Sequence, residues 1–213
     1  MKALLLNGSP NKQGSTYTAL GFIKEALEEE GVAAEIFHVP PEPIAGCVAC
    51  HKCKAGGARC AFDGDAVNLI LEKMEQADAL VVGSPTYFAS PNGHLIAVLD
   101  RVFFAGTASA TIFNGKPAAA ITAARRGGAT AALEVMQKYF TIAGMPIAPS
   151  SYWPMIHGRA AADVVQDAEG VQSMKMTGKT IAWLLKCIEA GKAEGLSYPR
   201  YPDGEKVWTD FIR

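Results

Sequence analysis

The 213-residue chain lacks features that mark several large classes of protein. Its 20 basic and 21 acidic residues nearly cancel, and no run of five basic residues occurs, so we expect no nucleic-acid partner. No apolar stretch approaches the roughly 18 residues of a membrane span, so no membrane association is expected. The apolar run at residues 3–6 ends at Asn7, too early for a secretion signal, and the expected location is the cytoplasm.

Three enzyme motifs are also missing. The chain contains no Gly-x-x-x-x-Gly-Lys-Ser/Thr and no Gly-x-Gly-x-x-Gly, which disfavours an ATP site and an ordinary dinucleotide site. It has no Gly-x-Ser-x-Gly, which argues against a hydrolase with that nucleophile turn. Hydrophobic residues make up 49% and charged residues 19%, a composition typical of one globular domain.

Apolar runs and helical periodicity alternate along the chain. Strands are predicted at residues 2–7, 32–39, 78–84, 116–123 and 146–152, with helices at 15–30, 131–143 and 171–190. Such alternation predicts an α/β fold with a parallel sheet and helices on both of its faces.

Three strand exits should meet at the carboxyl edge of this sheet, where such folds bind ligands. The segment 8–16 offers hydroxyls, backbone N–H groups and a helix start, which suit either a phosphate site or a simple helix cap. The segment 83–91 adds two aromatic side chains, and the double glycine in 123–128 lets a flat ligand approach the backbone. Together the three loops favour a phosphorylated planar cofactor.

These three loops resemble those of the NADPH-dependent FMN reductase and iron–sulfur flavoprotein branch of the flavodoxin-like superfamily, over about residues 1–190. The resemblance implies a three-layer sandwich with a five-stranded parallel sheet in the order 2-1-3-4-5, and FMN as cofactor. Many relatives have asparagine at the position of Ser15. The serine is a mild departure from that pattern, since its hydroxyl can still bind the phosphate. By this resemblance the FMN phosphate is held by Ser9, Asn11, Gly14, Ser15 and Thr16. By the same resemblance the isoalloxazine ring and ribityl chain are lined by Pro85, Thr86, Tyr87 and Phe88, and the polar edge of the ring meets Arg126, Gly127 and Gly128.

Four cysteines crowd into a loop at residues 40–64, far longer than the roughly 2–6 residues that usually connect such elements. Their spacing, Cys47-x2-Cys50-x2-Cys53-x6-Cys60, suits a [4Fe–4S] cluster, and it resembles the compact cysteine motif of iron–sulfur flavoproteins. Three alternatives stay open: packing as small apolar side chains, a redox-active thiol pair, or zinc, which usually takes more widely separated cysteine pairs. Cys187 lies in an apolar helix and is expected in the core.

The resulting hypothesis is an FMN oxidoreductase that passes electrons singly through the cluster to or from a partner such as ferredoxin. The main alternative is an NAD(P)H-dependent FMN or quinone reductase whose cysteines are structural. From another class, the fold could be a non-enzymatic binding module. No catalytic acid or base is assigned, because flavin chemistry needs little of either from the protein.

The expected organisation is one FMN-binding domain over 1–190, with the insertion at 40–64 and a tail at 191–213. The tail is expected to pack on this domain or on a neighbouring subunit of a homodimer or homotetramer. Tyr152 and Trp153 either cover the flavin or belong to the core or a subunit contact, and His94 either touches the ligand or begins a helix. His51 is expected to be exposed.

Overall fold

Five parallel strands form the central sheet of the protein, described by a computed structural model over residues 1–109, 111–199 and 209. They are β1 (Lys2–Asn7), β2 (Ala33–His38), β3 (Ala79–Tyr87), β5 (Ala118–Ala124) and β6 (Met155–His157). The two-residue strand β4 (Ser90–Pro91) pairs antiparallel with the end of β3. The parallel strands lie in the order β2-β1-β3-β5-β6, which is 2-1-3-4-5 among themselves and confirms the predicted fold class.

Helices cover both faces of the sheet. They are α1 (Ser15–Glu29), α2 (Lys52–Ala55), α3 (Val67–Glu75), α4 (Gly93–Gly106), α5 (Ala129–Ile142), α6 (Ala161–Val164) and α7 (Ala168–Ala193). One hydrophobic core lies between the sheet and α1, α6 and α7, and the other lies between the sheet and α3, α4 and α5. Within the described ranges, none of these helices combines the length and hydropathy needed to cross a bilayer.

The first strand shows why the sheet is buried on both sides. Successive side chains of a strand point to opposite faces, so Leu4 and Leu6 enter one core while Leu5 enters the other. All three are 0% exposed, and full burial of one leucine contributes about 1.5–3 kcal/mol. The apolar run at the start of the chain is therefore a central strand.

The last strand lies later in the chain than predicted. Residues 146–152 make only an isolated bridge between Ile147 and Ala118, and the regular pairing with β5 begins at Met155. Pro149 and Pro154 have no N–H to donate, so the segment between them bulges away from the sheet edge. The predicted strand at 146–152 is wrong because proline interrupts its hydrogen-bond ladder.

The assignment of Cys187 to the core is also wrong. Cys187 is exposed on α7, four residues after Trp183, which is 61% exposed. Residues four apart share a helix face, so both point outward, whereas Ile181 and Leu185 are buried toward the sheet. The helix is amphipathic although its sequence is apolar on more than one side.

Helix α7 ends at Ala193, slightly beyond the predicted domain boundary at residue 190. Most of the predicted tail, 200–208 and 210–213, lies outside the described residues. In the part of the tail that precedes them, the Tyr198 ring lies against Gly115 and Gly144 of the same chain.

Candidate functional site

The strand order reverses direction between β1 and β3. The chain continues from β1 to one side of the sheet, at β2, and later to the other side, at β3. Asn7 is the register partner of Gly83, and the next residue, Gly8, donates its N–H to the Gly83 carbonyl at 2.9 Å. Ligands of open α/β sheets bind beyond the carboxyl ends of the strands at such a point. This is where the first two predicted loops meet.

Buried side chains hold the first loop in shape. Asn7 is 0% exposed, and its Oδ1 accepts from Ser9 N while its Nδ2 donates to the Lys12 carbonyl, both at 3.2 Å. Ser9 Oγ accepts from Asn11 N at 3.1 Å, and His38 Nε2 donates to the Ser9 carbonyl at 2.9 Å. Asn7 and His38 had no assigned role in the sequence analysis, and the Asn after an apolar run was the available signal for the first.

Helix α1 begins at the end of this loop with its backbone N–H groups uncapped. Gly14 occupies the N-cap position, no side chain caps the helix, and the first turn carries no acidic residue. The first N–H groups of a helix have no partner inside it and attract anions. Ser15 is partly buried beside them, while Thr16 is 1% exposed and supports the loop from beneath, against Gly83. The alternative of a helix start capped by a side chain does not match this geometry.

The second loop is a tight hairpin rather than an open turn. Strand β3 continues through Thr86 to Tyr87, which pairs with Ser90 of β4. Phe88 and Ala89 form the tip with φ of 51° and 58°, the left-handed conformation of two-residue hairpins. This conformation costs about 1–2 kcal/mol for each residue other than glycine. The hairpin projects the fully exposed Phe88 ring and the 45%-exposed Tyr87 ring from the sheet edge.

Asn92 joins the first loop to the second. Its Nδ2 donates to the Gly8 carbonyl at 3.0 Å, and its backbone N donates to Ser84 Oγ at 2.9 Å. Its Oδ1 accepts from His94 N at 3.0 Å and so caps α4. The sequence analysis did not name Asn92, although an Asn just before a helical stretch is a known capping signal.

Replacing Asn92 with alanine should lower the free energy of unfolding by about 2–3 kcal/mol, because a cap and a buried hydrogen bond are both lost. Thermal and urea unfolding of the Asn92→Ala variant measure this. The exposed Asn114→Ala variant serves as control and should change stability by less than about 0.5 kcal/mol. Equal losses in the two variants would contradict the role of Asn92.

The third loop touches the hairpin. Gly128 has φ 88°, and a Cβ on it would lie 2.8 Å from Ala89 Cα, so only glycine fits this approach. Below the loop, the hydroxyls of Thr86 and Thr122 are 2.5 Å apart and join β3 to β5. Arg126 and Gly127 are exposed on the same side. The structure thus brings the three predicted loops together at one edge of the sheet.

The structure decides between the alternative positions predicted for His94, Tyr152 and Trp153. His94 begins α4, and its Nε2 donates to the Pro40 carbonyl at 2.8 Å, which matches the helix-start alternative. Tyr152 and Trp153 lie in the bulge before β6, 53% and 56% exposed, with ring centroids 4.8 Å apart. The core alternative for these two aromatic residues is therefore wrong.

The four clustered cysteines line a single pocket beside α4. Cys53 is 6% exposed on α2, Cys60 is partly buried, and Cys47 and Cys50 are exposed. All four are free thiols. The other lining residues are mainly apolar: Val48, His51, Ala61, Phe62, Arg101, Phe104 and Ala105. His51 is exposed as predicted, and its ring lies edge-on to the Phe104 ring with the two centroids 5.5 Å apart.

Backbone strain is concentrated at the pocket and at the hairpin. Within the described residues, the non-glycine positions with positive φ are Ala49, His51, Ala58, Phe88 and Ala89. The first three lie among the cysteines and the last two at the hairpin tip. Strained positions of this kind gather at functional sites, because the surrounding structure must hold them in place.

Arg101 of α4 is a buried cation at the wall of the pocket, and the sequence analysis did not identify it. Its side chain forms an ion pair with Asp65. Burial by itself lowers the pKa of Arg101, but the hydrogen bonds with Asp65 and Cys60 outweigh burial, and the net shift is upward. The signal available in the sequence was the Asp100-Arg101 pair within the mainly apolar stretch of α4.

The side-chain arrangement does not form a site for a single metal ion. In the ranges that the structure describes, no three His, Cys, Asp or Glu side chains surround one metal position. The pocket brings the cysteines to one place, and the three predicted loops form a separate group at the strand ends. The sheet order and these loops define a flavodoxin-like α/β protein.

Comparison with known proteins agrees with this class. An iron-sulfur flavoprotein of Archaeoglobus fulgidus is 33% identical over 82% of this chain and 86% of its own length. An iron-sulfur flavoprotein of Methanocaldococcus jannaschii is 29% identical over 89% of this chain and its full length. An archaeal flavodoxin structure superposes with a TM-score of 0.59 at 17% identity, covering 87% of this chain and 99% of its own, which supports the fold alone.

The chain belongs to the NADPH-dependent FMN reductase family, whose model matches residues 1–160. It is therefore a flavin-dependent oxidoreductase that uses FMN. The matched range contains all three loops and the four clustered cysteines.

Proposed function

We propose that this oxidoreductase transfers electrons singly between FMN and a redox partner through a [4Fe–4S] cluster bound by Cys47, Cys50, Cys53 and Cys60. The observation that carries the proposal is that these four free cysteines line one pocket. Relatives that match most of the chain are named iron-sulfur flavoproteins, which supports it further. When bound, the cluster would supply one-electron chemistry beside a two-electron flavin.

The residues of the pocket fit such a cluster. Each iron of a [4Fe–4S] cluster takes one thiolate, so the four sulfurs stand around the cluster and need not converge on one point. The apolar walls limit water, and Arg101 donates two N–H groups to Cys60 Sγ. These features support a cluster over a loop in which cysteine only fills space.

For FMN, we propose the division of roles that the resemblance implies. The uncapped start of α1, with Ser9, Asn11, Gly14, Ser15 and Thr16, would bind the phosphate. Pro85, Thr86, Tyr87 and Phe88 would line the ring and ribityl chain, and Arg126, Gly127 and Gly128 would meet the polar edge of the ring. The proximity of the hairpin to Gly128 supports a single continuous site.

Anaerobic purification tests both cofactors together. The protein should show flavin absorption between roughly 370 and 450 nm and contain the iron and acid-labile sulfide of one [4Fe–4S] cluster per chain. A colourless protein would overturn the flavin assignment and favour a binding module. Flavin bands without iron or sulfide would overturn the cluster.

A second candidate is an NAD(P)H-dependent FMN or quinone reductase with structural cysteines. The family's own description, NADPH-dependent FMN reductase, favours it. Stopped-flow measurement of flavin reduction separates the two candidate functions. If the cluster proposal is right, reduced ferredoxin should reduce the flavin faster than NADPH does. If the protein is an NAD(P)H-dependent reductase, NADPH should be the faster reductant.

We further propose that the protein acts in the cytoplasm as a homodimer or homotetramer. Five free cysteines suit a reducing compartment. The exposed hairpin, with Tyr87 and Phe88, and the exposed pair of Tyr152 and Trp153 leave apolar surface that a second subunit could cover. Light scattering after size-exclusion chromatography tests the assembly, and a monomer would overturn it.

A further inference from the structure

Arg101 occupies a position that is costly for a charged residue. It lies in the middle of α4, is 2% exposed, and is among the largest fully buried side chains described. A buried guanidinium is tolerated only when its charge and its N–H donors are paired. The identity of its partners therefore indicates what the residue does.

All five N–H donors of Arg101 are used, and every acceptor lies in or beside the cysteine loop. Nε and Nη2 both donate to Cys60 Sγ at 3.3 Å, and Nη2 also donates to the Phe62 carbonyl at 2.8 Å. Nη1 donates to the Ala45 carbonyl at 3.3 Å and to the Asp65 carboxylate. Since Ala45 precedes the first cysteine and Asp65 follows the last, one side chain joins the two ends of the segment.

Helix α3 holds the backbone of the same cysteine. Cys60 N donates to Asn68 Oδ1 at 2.8 Å, and Asn68 Nδ2 donates to the Cys60 carbonyl at 3.0 Å. Asn68 is 4% exposed and also donates to Asp63 Oδ1 at 2.8 Å. Cys60 is thus fixed through its backbone by one helix and through its sulfur by another.

The two hydrogen bonds that Cys60 Sγ accepts from Arg101 favour a negatively charged sulfur. Sulfur with negative charge, as in a metal-bound thiolate, accepts hydrogen bonds from a cation much better than a neutral thiol does. Hydrogen bonds to the sulfurs and nearby charge are among the factors that set the potential of iron–sulfur clusters. Burial keeps solvent from screening the charge of Arg101.

We propose that Arg101 is a positioning residue that holds Cys60 as the fourth cluster ligand and raises the reduction potential of the cluster. This inference rests on the proposed iron–sulfur function. Reduction adds one electron from an external reductant to the cluster, and a buried cation stabilises the added negative charge. Loss of that cation should therefore make the cluster harder to reduce.

The test compares Arg101→Gln, Arg101→Lys and a control, Arg59→Gln, in anaerobically prepared holoprotein. Arg59 precedes Cys60 but is exposed and paired with Glu72, so its removal changes the net charge equally without removing a buried donor. A mediated redox titration, followed by visible absorption and electron paramagnetic resonance, measures the potential. Arg101→Gln should reduce the equilibrium constant for cluster reduction at least tenfold, a shift of about 59 mV for one electron. Arg59→Gln should change it less than twofold.

Arg101→Lys keeps the positive charge but cannot bond to all four partners of the arginine, because lysine lacks the planar guanidinium with its five N–H donors. The cluster of this variant should lose iron to a chelator at least tenfold faster than that of the wild type. Its reduction potential should fall less than that of Arg101→Gln. This variant still decides the question if Arg101→Gln fails to fold. An unchanged potential in Arg101→Gln or an unchanged iron-release rate in Arg101→Lys would overturn the inference. Wild-type protein without iron would overturn the cluster proposal and this inference together, which distinguishes the two failures.

Discussion

A Cys53→Ser variant should bind FMN at the wild-type stoichiometry and hold almost no iron or sulfide. Cys53 is the most buried of the four clustered cysteines and lies on α2, away from the loops assigned to the flavin. Serine has nearly the same shape but supplies no thiolate ligand. Iron and sulfide analysis, with the FMN-to-protein ratio from the visible spectrum, measures the effect. The exposed Cys187→Ser variant is the control and should keep its full iron content.

Cys47→Ser and Cys50→Ser decide between a cluster and simple packing. Both side chains are exposed, so a role in packing predicts a stability change within about 0.5 kcal/mol and no change in the spectrum. A cluster instead requires both thiolates, and either substitution should remove most of the iron. Wild-type iron content in both variants would contradict the proposed ligand set.

Replacing Gly128 with alanine should weaken FMN binding at least tenfold, or about 1.4 kcal/mol. The new Cβ would lie 2.8 Å from Ala89 Cα, a backbone atom, so the hairpin itself must move. Fluorescence titration of the apoprotein with FMN measures the dissociation constant. The physical cause is displacement of the hairpin that we assign to the ring of the flavin.

Gly31→Ala provides a matched control for this change. Gly31 also has a left-handed backbone, with φ 81°, but a Cβ there meets no atom within 4 Å. It follows α1 and lies just before β2, at the opposite edge of the sheet from the loops that we assign to the flavin. Its substitution should cost about 1–2 kcal/mol of stability through backbone strain, while FMN affinity stays within twofold of wild type. Equal FMN affinities in the two variants would contradict the assignment of Gly128.

Sequence reasoning identified the three loops at the carboxyl edge more fully than the cysteine pocket. The glycine, serine and proline runs after the strands are local signals, and the structure brings all three loops to one edge. The cysteine spacing is also local, but it leaves several chemistries open. The roles of Asn92 and Arg101 were missed because each depends on a partner in another element, Gly8 for Asn92 and Cys60 for Arg101. The partners of Asn7 are local, and its position after an apolar run was a signal that the sequence offered.

The wrong predictions of the last strand and of the burial of Cys187 had specific causes. The apolar composition of 146–152 predicted a strand, but Pro149 and Pro154 interrupt its pairing, and a strand forms only at Met155. The apolar surroundings of Cys187 suggested burial, but composition does not tell which side of α7 faces the sheet. Burial is a property of the packed molecule, and single residues on a mixed helix can fall on either side.

By itself, the sequence determined the first four parallel strands, three of the helices, the loops at the carboxyl edge and the cysteine spacing, because each depends on neighbours within a few positions. Only the tertiary structure decided that Arg101 donates to Cys60, 41 positions away, and that Gly128 meets Ala89. Such pairs form when separate elements pack against the same sheet, and no local pattern specifies them. The contacts that hold the cysteine pocket in place therefore became visible only in the folded chain.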